Sequence, residues 1–265
     1  MSPKEKNDYL IQSVSHALDL LEQFQGQELG VTELSARLHL QKNRVFRLLA
    51  TLMSRGYVEQ NPATENYRLG LKPLGLAQMV IRNIGLLGPS RAILREIVDA
   101  CDETAYISTL KDGHIIYLDI VETTNTVRVV PRIGFRLPAY CTAAGKVYLA
   151  FVEGLAEKLY TKAPMQAFTA TTITALDDLK LELGTITQRG YAIDNEEHDS
   201  GVRCVAVPVR DYTAQVVGAL SISGPSSRFS GERIGQELAP LILQEGARLS
   251  EQLGFKPPAP ADKRS

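Results

Sequence analysis

Residues 31–56 read VTELSARLHLQKNRVFRLLATLMSRG, and this stretch decides the fold of the first part of the chain. Apolar residues recur at helical spacing in two runs, with His39 and Leu40 between them. The pattern predicts two short amphipathic helices joined by a turn. The second helix begins with long donors that lie mostly off its apolar stripe: Lys42, Asn43, Arg44 and Arg47. Such a helix pair suits a reader of the DNA major groove, with base edges and phosphates within reach.

The residues that follow predict a wing on this helix pair. Gly56 can adopt the left-handed conformation that ends a helix. Residues 57–60 alternate like a strand, residues 61–66 have turn chemistry, and residues 67–69 read as a second strand. The sequence therefore predicts a winged helix-turn-helix DNA-binding domain over residues 10–70.

Phe46 also lies off the apolar stripe of the second helix, which predicts a contact outside the local core. Two other interpretations of this domain are open. The basic residues could simply cover the solvated face of a small helical domain, or the winged helix could bind a protein instead of DNA. The predicted wing favours the DNA-binding interpretation over these two.

The composition is that of a globular protein. The chain has 265 residues, of which 44% are hydrophobic and 22% charged. It has no apolar run near the roughly 18 residues of a membrane helix, and its polar start, MSPKEKND, does not resemble a signal peptide. Three cysteines at irregular spacing form no disulfide framework. We therefore expect a cytoplasmic protein without a membrane partner.

The charge is distributed unevenly along the chain. The total is −1, but residues 1–84 hold ten Lys and Arg against eight Asp and Glu, whereas residues 85–265 hold nineteen against twenty-two. A mildly basic first part on an acidic remainder is weak support for nucleic-acid binding at the first part.

The rest of the chain predicts an α+β architecture. We expect a linker helix in residues 71–88, a strand-rich domain over residues 89–254 and a disordered, proline-rich tail over residues 255–265. About six strands are predicted, mostly antiparallel because their connections are short. Asp112-Gly113 between two β-rich runs signals a hairpin, and residues 126–131 read as a third strand.

Signatures of catalysis are scarce. The chain has no glycine-rich dinucleotide motif, no P-loop and no correctly spaced nucleophile elbow. Asp194, His198 and Cys204 are metal-ligand residue types, but they lack paired ligand spacing, so a polar loop is the better interpretation. We predict no catalytic residue, no metal and no cofactor.

Residues 134–146 look like a binding site. They read GFRLPAYCTAAGK and run from a strand into a helix that begins with small residues. Free backbone N–H groups and the positive end of the helix dipole would form an anion site there, with Thr142 as the cap. Equally, the small residues could serve only to pack the helix against the sheet.

Four segments of the chain together carry a family likeness: YRLG at the end of the wing, LPAYCTAAGKVYLA, RGYAIDNEEHDSGVRCVAVPV and VVGALSISGP. They resemble the IclR family of bacterial transcriptional regulators, and the likeness covers about residues 10–254. The resemblance implies a winged helix-turn-helix that binds double-stranded operator DNA as a homodimer or a dimer of dimers. It also implies a GAF-like antiparallel-sheet domain that binds a small carboxylate or aromatic acid.

The resemblance also implies which residues bind this effector. The amides of Ala143 and Ala144 would meet its carboxylate, and the other lining residues would be Asp194, Cys204, Ser221, Ser223, Val129 and Leu137. Tyr140 is expected to add a ring near the mouth of the pocket. The alternatives are an enzyme for small carboxylates with a helical accessory domain, using Asp194, Cys204 and His198, or a winged-helix protein-interaction module.

Overall fold

The computed structural model describes residues 10–83, 85–130 and 133–256. The chain divides into two compact units, Met1–Ile84 and Gly85–Ser265. Residues 257–265 of the predicted tail lie outside the described residues, whereas the N–H of Phe255 donates a hydrogen bond to the Ser250 carbonyl at 2.9 Å. Within the described ranges, no helix is both long enough and apolar enough to cross a lipid bilayer.

The first unit is a winged helix-turn-helix, as the sequence predicts. Its elements are α1 (Gln12–Gln23), α2 (Val31–Leu38), α3 (Lys42–Ser54), β1 (Val58–Gln60), β2 (Tyr67–Leu69) and α4 (Lys72–Asn83). His39 ends α2 in the left-handed conformation, with φ of 53°, and so turns the chain into α3. The antiparallel pair β1–β2 forms the wing.

The helices and the wing of the first unit share one hydrophobic core. Leu34 from α2, Val45 and Leu49 from α3, and Val58 and Tyr67 from the wing are buried together. The apolar stripe of α3 therefore faces the core, and the opposite face of that helix remains exposed.

The second unit is an antiparallel sheet with helices on both faces, which confirms the α+β prediction. Its elements are α5 (Leu87–Cys101), β3 (Thr104–Lys111), β4 (His114–Val121), β5 (Arg136–Pro138), α6 (Ala143–Phe151), α7 (Leu155–Tyr160), α8 (Leu176–Arg189), β6 (Ala192–Asn195), β7 (Val202–Arg210), β8 (Val216–Pro225), α9 (Gly231–Arg233), a π-helical turn (Ile234–Leu238) and α10 (Ala239–Gln252). The strand order is β5-β4-β3-β8-β7-β6, and every pair is antiparallel.

Alternation along β8 shows how the two faces of this sheet differ. Ser221 and Ser223 line a cavity on the face that α6 covers, so Leu220 and Ile222 point to the opposite face. On that opposite face, α5 and α10 pack against the sheet. The cavity lined by the two serines therefore lies on the face towards α6.

The predicted strand over residues 126–131 is wrong for the part that the structure describes. Residues 126–130 have no ladder partner among the described residues, and Val127 and Val130 are exposed. Side chains hold this segment instead, because the Arg228 guanidinium donates to the Val127 carbonyl at 3.0 Å and Arg128 pairs with Glu122. The strand that follows β4 along the chain is therefore β5, at the edge of the sheet.

The first helix of the second unit begins inside the segment that the sequence assigns to the linker helix, residues 71–88. α5 begins at Leu87 and includes Gly88 and Pro89 in its first turn. Proline is tolerated there because the first backbone N–H groups of a helix have no intrahelical acceptor.

Candidate functional site

A cavity of about 310 Å³ lies between the sheet and the first turn of α6. Its lining includes all eight residues that the family resemblance assigns to an effector pocket, namely Val129, Leu137, Ala143, Ala144, Asp194, Cys204, Ser221 and Ser223. The remaining lining residues are Tyr106, Tyr117, Val130, Phe135, Thr142, His198, Asp199 and Val202. The fold therefore gathers segments that are far apart in the sequence around one space.

The register of the sheet explains why the polar residues meet. Asp194 on β6 lies opposite Cys204 on β7, and Cys204 lies opposite Ser223 on β8. The Ser223 hydroxyl donates to the Cys204 sulfur at 2.9 Å. In the neighbouring row, Ser221 lies opposite Tyr106 on β3. These two cross-strand rows form the polar floor of the cavity.

The first turn of α6 forms one end of the cavity. Thr142 is the N-cap, and its hydroxyl accepts a hydrogen bond from the Gly145 N–H at 3.2 Å. The N–H groups of Ala143 and Ala144 have no acceptor among the described residues. A Cβ on Gly145 would lie 2.2 Å from the Ala139 carbonyl oxygen, so only glycine allows the preceding turn to pack this closely. The helix end therefore presents two free donors to an anion.

Asp194 is 4% exposed and has an unusual ionisation. Burial is the main reason that the pKa of its carboxyl rises to about 7, and the charge of Glu197 adds to the rise. The Glu197 N–H, which donates to Asp194 Oδ1 at 2.8 Å, and the Lys146 charge oppose it. Near neutral pH this carboxyl can therefore either donate or accept a hydrogen bond.

A buried ion pair connects α6 to the turn that follows β6. Lys146 is 1% exposed, and its ammonium group lies 2.5 Å from Glu197 Oε1 and 3.9 Å from Glu182 Oε1. Removing one member of such a pair would leave an uncompensated buried charge. The pair therefore fixes the helix end relative to the residues beside Asp194.

The cavity has little that would support nucleophilic catalysis. Burial raises the pKa of the Cys204 thiol, so the reactive thiolate is disfavoured. His198 Nδ1 lies 2.8 Å from Asp199 Oδ2. The centroid of the His198 ring lies 4.8 Å from the centroid of the Phe168 ring. In the described parts of the chain, no group of three or more His, Cys, Asp or Glu side chains could hold a metal ion.

Two tyrosines are the main lining residues that the sequence did not single out. The rings of Tyr106 and Tyr117 lie 5.2 Å apart, and burial raises the pKa of both hydroxyls, so both remain protonated. The Tyr106 hydroxyl donates to the Val129 carbonyl at 3.4 Å. The predicted hairpin places both tyrosines on adjacent strands, but only the register, which shifts between Ile107 and Ser108, shows that they share a face.

Tyr140 is not at the mouth of the pocket, contrary to expectation. It is buried, its hydroxyl donates to the Gln166 carbonyl at 2.8 Å, and its ring meets that of Tyr160 edge to face. Tyr140 therefore contributes to the packing beneath the cavity wall and does not line the cavity.

The four predicted DNA-binding residues lie on the exposed side of α3. Lys42, Asn43, Arg44 and Arg47 are all exposed. Within the described chain, no carboxylate pairs with the three cations among them. The helix thus presents unpaired positive charge and an amide at its first turn and a half, where a groove reader meets the bases and phosphates.

The wing differs from the helix in its charge. The Arg68 guanidinium on β2 donates to Glu59 at 2.6 Å and to Glu28 at 3.3 Å. The side chains of Asn61 and Thr64 also bind Glu28. The only arginine in the wing is therefore engaged by two carboxylates, and this local group carries a net negative charge.

A winged helix-turn-helix with a basic reading helix, followed by an α+β unit with a ligand-sized cavity, defines a class of two-domain regulators. Residues 13–62 match the IclR helix-turn-helix domain, and residues 78–251 match the C-terminal domain of bacterial IclR transcriptional regulators. The chain belongs to the IclR family, and it is a DNA-binding transcriptional regulator.

Similar proteins agree with this assignment. The HTH-type transcriptional regulator KdgR of Escherichia coli is 35% identical over 86% of this chain and 87% of its own length. The crystal structure of Thermotoga maritima IclR has a TM-score of 0.80 at 27% identity and covers 93% of this chain and 100% of its own. An IclR homologue from Microbacterium hydrocarbonoxydans, complexed with 4-hydroxybenzoate, has a TM-score of 0.77, covering 91% of this chain and 98% of its own; its 18% identity supports the fold alone.

Proposed function

We propose that this regulator responds to a small organic acid that binds in the cavity of the second unit. The observation that carries the proposal is the start of α6, where the N–H groups of Ala143 and Ala144 lack an acceptor in the described chain and line the cavity. A carboxylate bound there would satisfy both donors and would lie at the positive end of the helix dipole.

The rest of the cavity suits the body of such an acid. Val129 and Leu137 supply apolar wall, whereas Asp194, Cys204, Ser221 and Ser223 offer hydrogen bonds to hydroxyl or keto substituents. The volume of about 310 Å³ is that of a pocket for a small molecule. The Microbacterium homologue, which has the same fold, is complexed with an acid of this kind.

We further propose that residues 10–70 bind operator DNA, that residues 71–88 link the domains and that residues 89–254 bind the effector. In this scheme the operator is contacted by Lys42, Asn43, Arg44 and Arg47. The protein then acts in the bacterial cytoplasm, where the operator DNA is. If the acid changes operator affinity by some factor, the operator must change the affinity for the acid by the same factor.

The active form in this proposal is a homodimer, or a dimer of dimers. α1 buries Leu20 in the core of its own unit, and Phe24 just after the helix is buried as well. An apolar row is nevertheless exposed, made of Val14 and Leu18 on α1 with Leu10 and Ile11 just before it. On α4, Leu74, Leu76 and Met79 are exposed, as is Leu71 just before that helix. Apolar surface of this extent calls for a covering partner, and a second copy of the chain would also supply the second half-site contact.

The experiment compares acids with their primary amides, using the full chain. Pyruvate and 4-hydroxybenzoate are paired with pyruvamide and 4-hydroxybenzamide, alongside a wider panel of small acids. A ligand at 100 times its Kd adds about 2.7 kcal/mol to the free energy of unfolding, which raises Tm by roughly 5 °C or more. We expect at least one acid to raise Tm and its amide, which lacks the charge, to have little effect.

Two variants locate the site of any such shift. Asp194→Ala should reduce the shift without abolishing DNA binding, whereas Asp99→Ala, which makes the same change on the exposed side of α5, should leave the shift unchanged. Equal shifts from acids and amides, or no shift across the acid panel, would contradict the anion site at α6.

A further inference from the structure

An apolar strip runs along the exposed side of α3. Phe46 is 57% exposed, and Ala50 and Met53, four and seven residues further on, lie on the same side of the helix. These three residues border an open groove whose other wall includes Gln60 and Tyr67 of the wing. We call Phe46, Ala50 and Met53 the Phe46 strip.

The Phe46 strip lies directly beside the polar residues that face away from the core. Each residue of a helix is rotated by about 100° from the one before it. Arg47 is therefore rotated from Phe46 by just over a quarter turn around the helix axis. Asn43, three residues before Phe46 and four before Arg47, lies about one helical turn earlier, at an angle between the two. Phe46 is thus on the exposed face, between that polar row and the wing.

The charges around the strip indicate what could cover it. Lys42, Arg44 and Arg47 have no ion-pair partner within the described residues, and they lie on the same helix as Phe46. A partner that covers the exposed face of α3 from Phe46 to Arg47 would also meet unpaired positive charge, which suits a DNA groove lined by phosphates. The apolar group on the base edges of the major groove is the C5-methyl of thymine.

We propose that Phe46 contacts a thymine methyl group in each operator half-site and so helps to determine which sequence is bound. The inference rests on the proposed DNA-binding role of α3. It adds an apolar contact to the polar contacts of Asn43 and Arg47, because a ring next to a methyl group excludes water without a hydrogen bond. The strip then has a function that the local core does not require.

The test removes single methyl groups from the DNA. Duplexes that bind the full chain are first selected from a random pool, and each thymine of the selected site is then replaced by uracil, one position at a time. For the wild-type protein, we expect one replacement per half-site to weaken binding about 4-fold, the effect of one buried methyl group. For Phe46→Ala, the same replacement should have no effect.

Two further variants serve as controls. Phe46→Leu keeps an apolar side chain and should retain part of the discrimination against uracil. Met53→Ala alters the far end of the strip and should retain all of it. Thermal unfolding of each variant shows whether the fold is intact, and Phe46→Leu carries the test if Phe46→Ala does not fold.

Three results would overturn the Phe46 contact and leave α3 as the reading helix. The wild-type protein could be indifferent to uracil at every position, or Phe46→Ala could keep the penalty at the same position. Alternatively, Phe46→Ala could change the oligomeric mass and leave DNA affinity intact, which would mean that a protein covers the strip. Failure of the full chain to select any duplex would reject α3 as the reading helix, and the Phe46 contact with it.

Discussion

Asp194 is a residue whose protonation should be visible in the stability of the whole protein. Its pKa of about 7 in the fold lies above the ordinary value of 3.8, so the folded chain binds more protons than the unfolded chain between these two values. The contribution of Asp194 to the free energy of unfolding therefore falls as pH rises through this window, by up to about 1.4 kcal/mol per pH unit. It is constant above the window.

Asp194→Asn removes this titration and keeps an oxygen for the Glu197 N–H. We expect the variant to gain stability relative to wild type as pH rises from 4 to 7, and to gain no more above pH 7. Urea unfolding at several pH values measures the difference. Asp99→Asn makes the same substitution on the exposed side of α5 and is measured alongside it. A flat difference for Asp194→Asn would mean that the buried carboxyl titrates near its ordinary pKa.

Individual residues differed in how far the sequence could identify them. Thr142 and the small residues after it could be predicted as a capped helix start, because caps and anion sites depend on local chemistry. Asp194, Cys204 and Ser223 were assigned from the family resemblance alone, since their proximity depends on the pairing of β6, β7 and β8. Spacing along the chain does not show such a register.

At the scale of single elements, α3 allows a direct test of the DNA contacts. Arg47→Ala should weaken binding to a selected operator duplex by about 5- to 150-fold, because a bidentate arginine contact with a base is worth roughly 1–3 kcal/mol. Fluorescence anisotropy with a labelled duplex measures the Kd. The fold should be unaffected, since Arg47 is exposed and the core residues of α3 are unchanged.

Lys111→Ala is the matched control for this measurement. It removes the same charge from an exposed position at the end of β3, so it accounts for the effect of net charge on DNA binding. We expect an affinity close to that of wild type. Equal losses for the two variants would indicate a general electrostatic effect, and α3 would then not be the reading element.

Elements with strong local signals were predicted well, and elements without them were not. The helices of the first unit follow from apolar periodicity, and the β3–β4 hairpin follows from Asp112 and Gly113, which both have the positive φ that such a tight turn needs. Residues 126–130 have alternating valines but no partner strand in the described chain. Hydrogen-bond partners, which define a strand, are not visible in a local pattern.

For the whole molecule, the exposed row on α1 predicts how the chain assembles. Val14→Glu combined with Leu18→Glu places two charges on this row without touching the buried Leu20 and Phe24. We expect the particle mass from sedimentation equilibrium to fall, and operator affinity to fall with it because two half-sites need two reading helices.

Leu181→Glu is the control for the assembly experiment. Leu181 is 74% exposed on α8, so the substitution adds a charge at an isolated surface leucine. The mass and the operator affinity should both stay unchanged. If the double variant keeps the wild-type mass while its fold is intact, the row on α1 is not the contact between copies.

The engagement of Arg68 by Glu59 and Glu28 has a consequence for binding in different concentrations of salt. A wing whose arginine is already neutralised displaces few of the cations condensed on DNA. Counterion release would then come mainly from Lys42, Arg44 and Arg47, which gives six phosphates for two copies of α3. The logarithm of the association constant should fall against the logarithm of salt concentration with a slope of about 5, set by the helix and not by the wing.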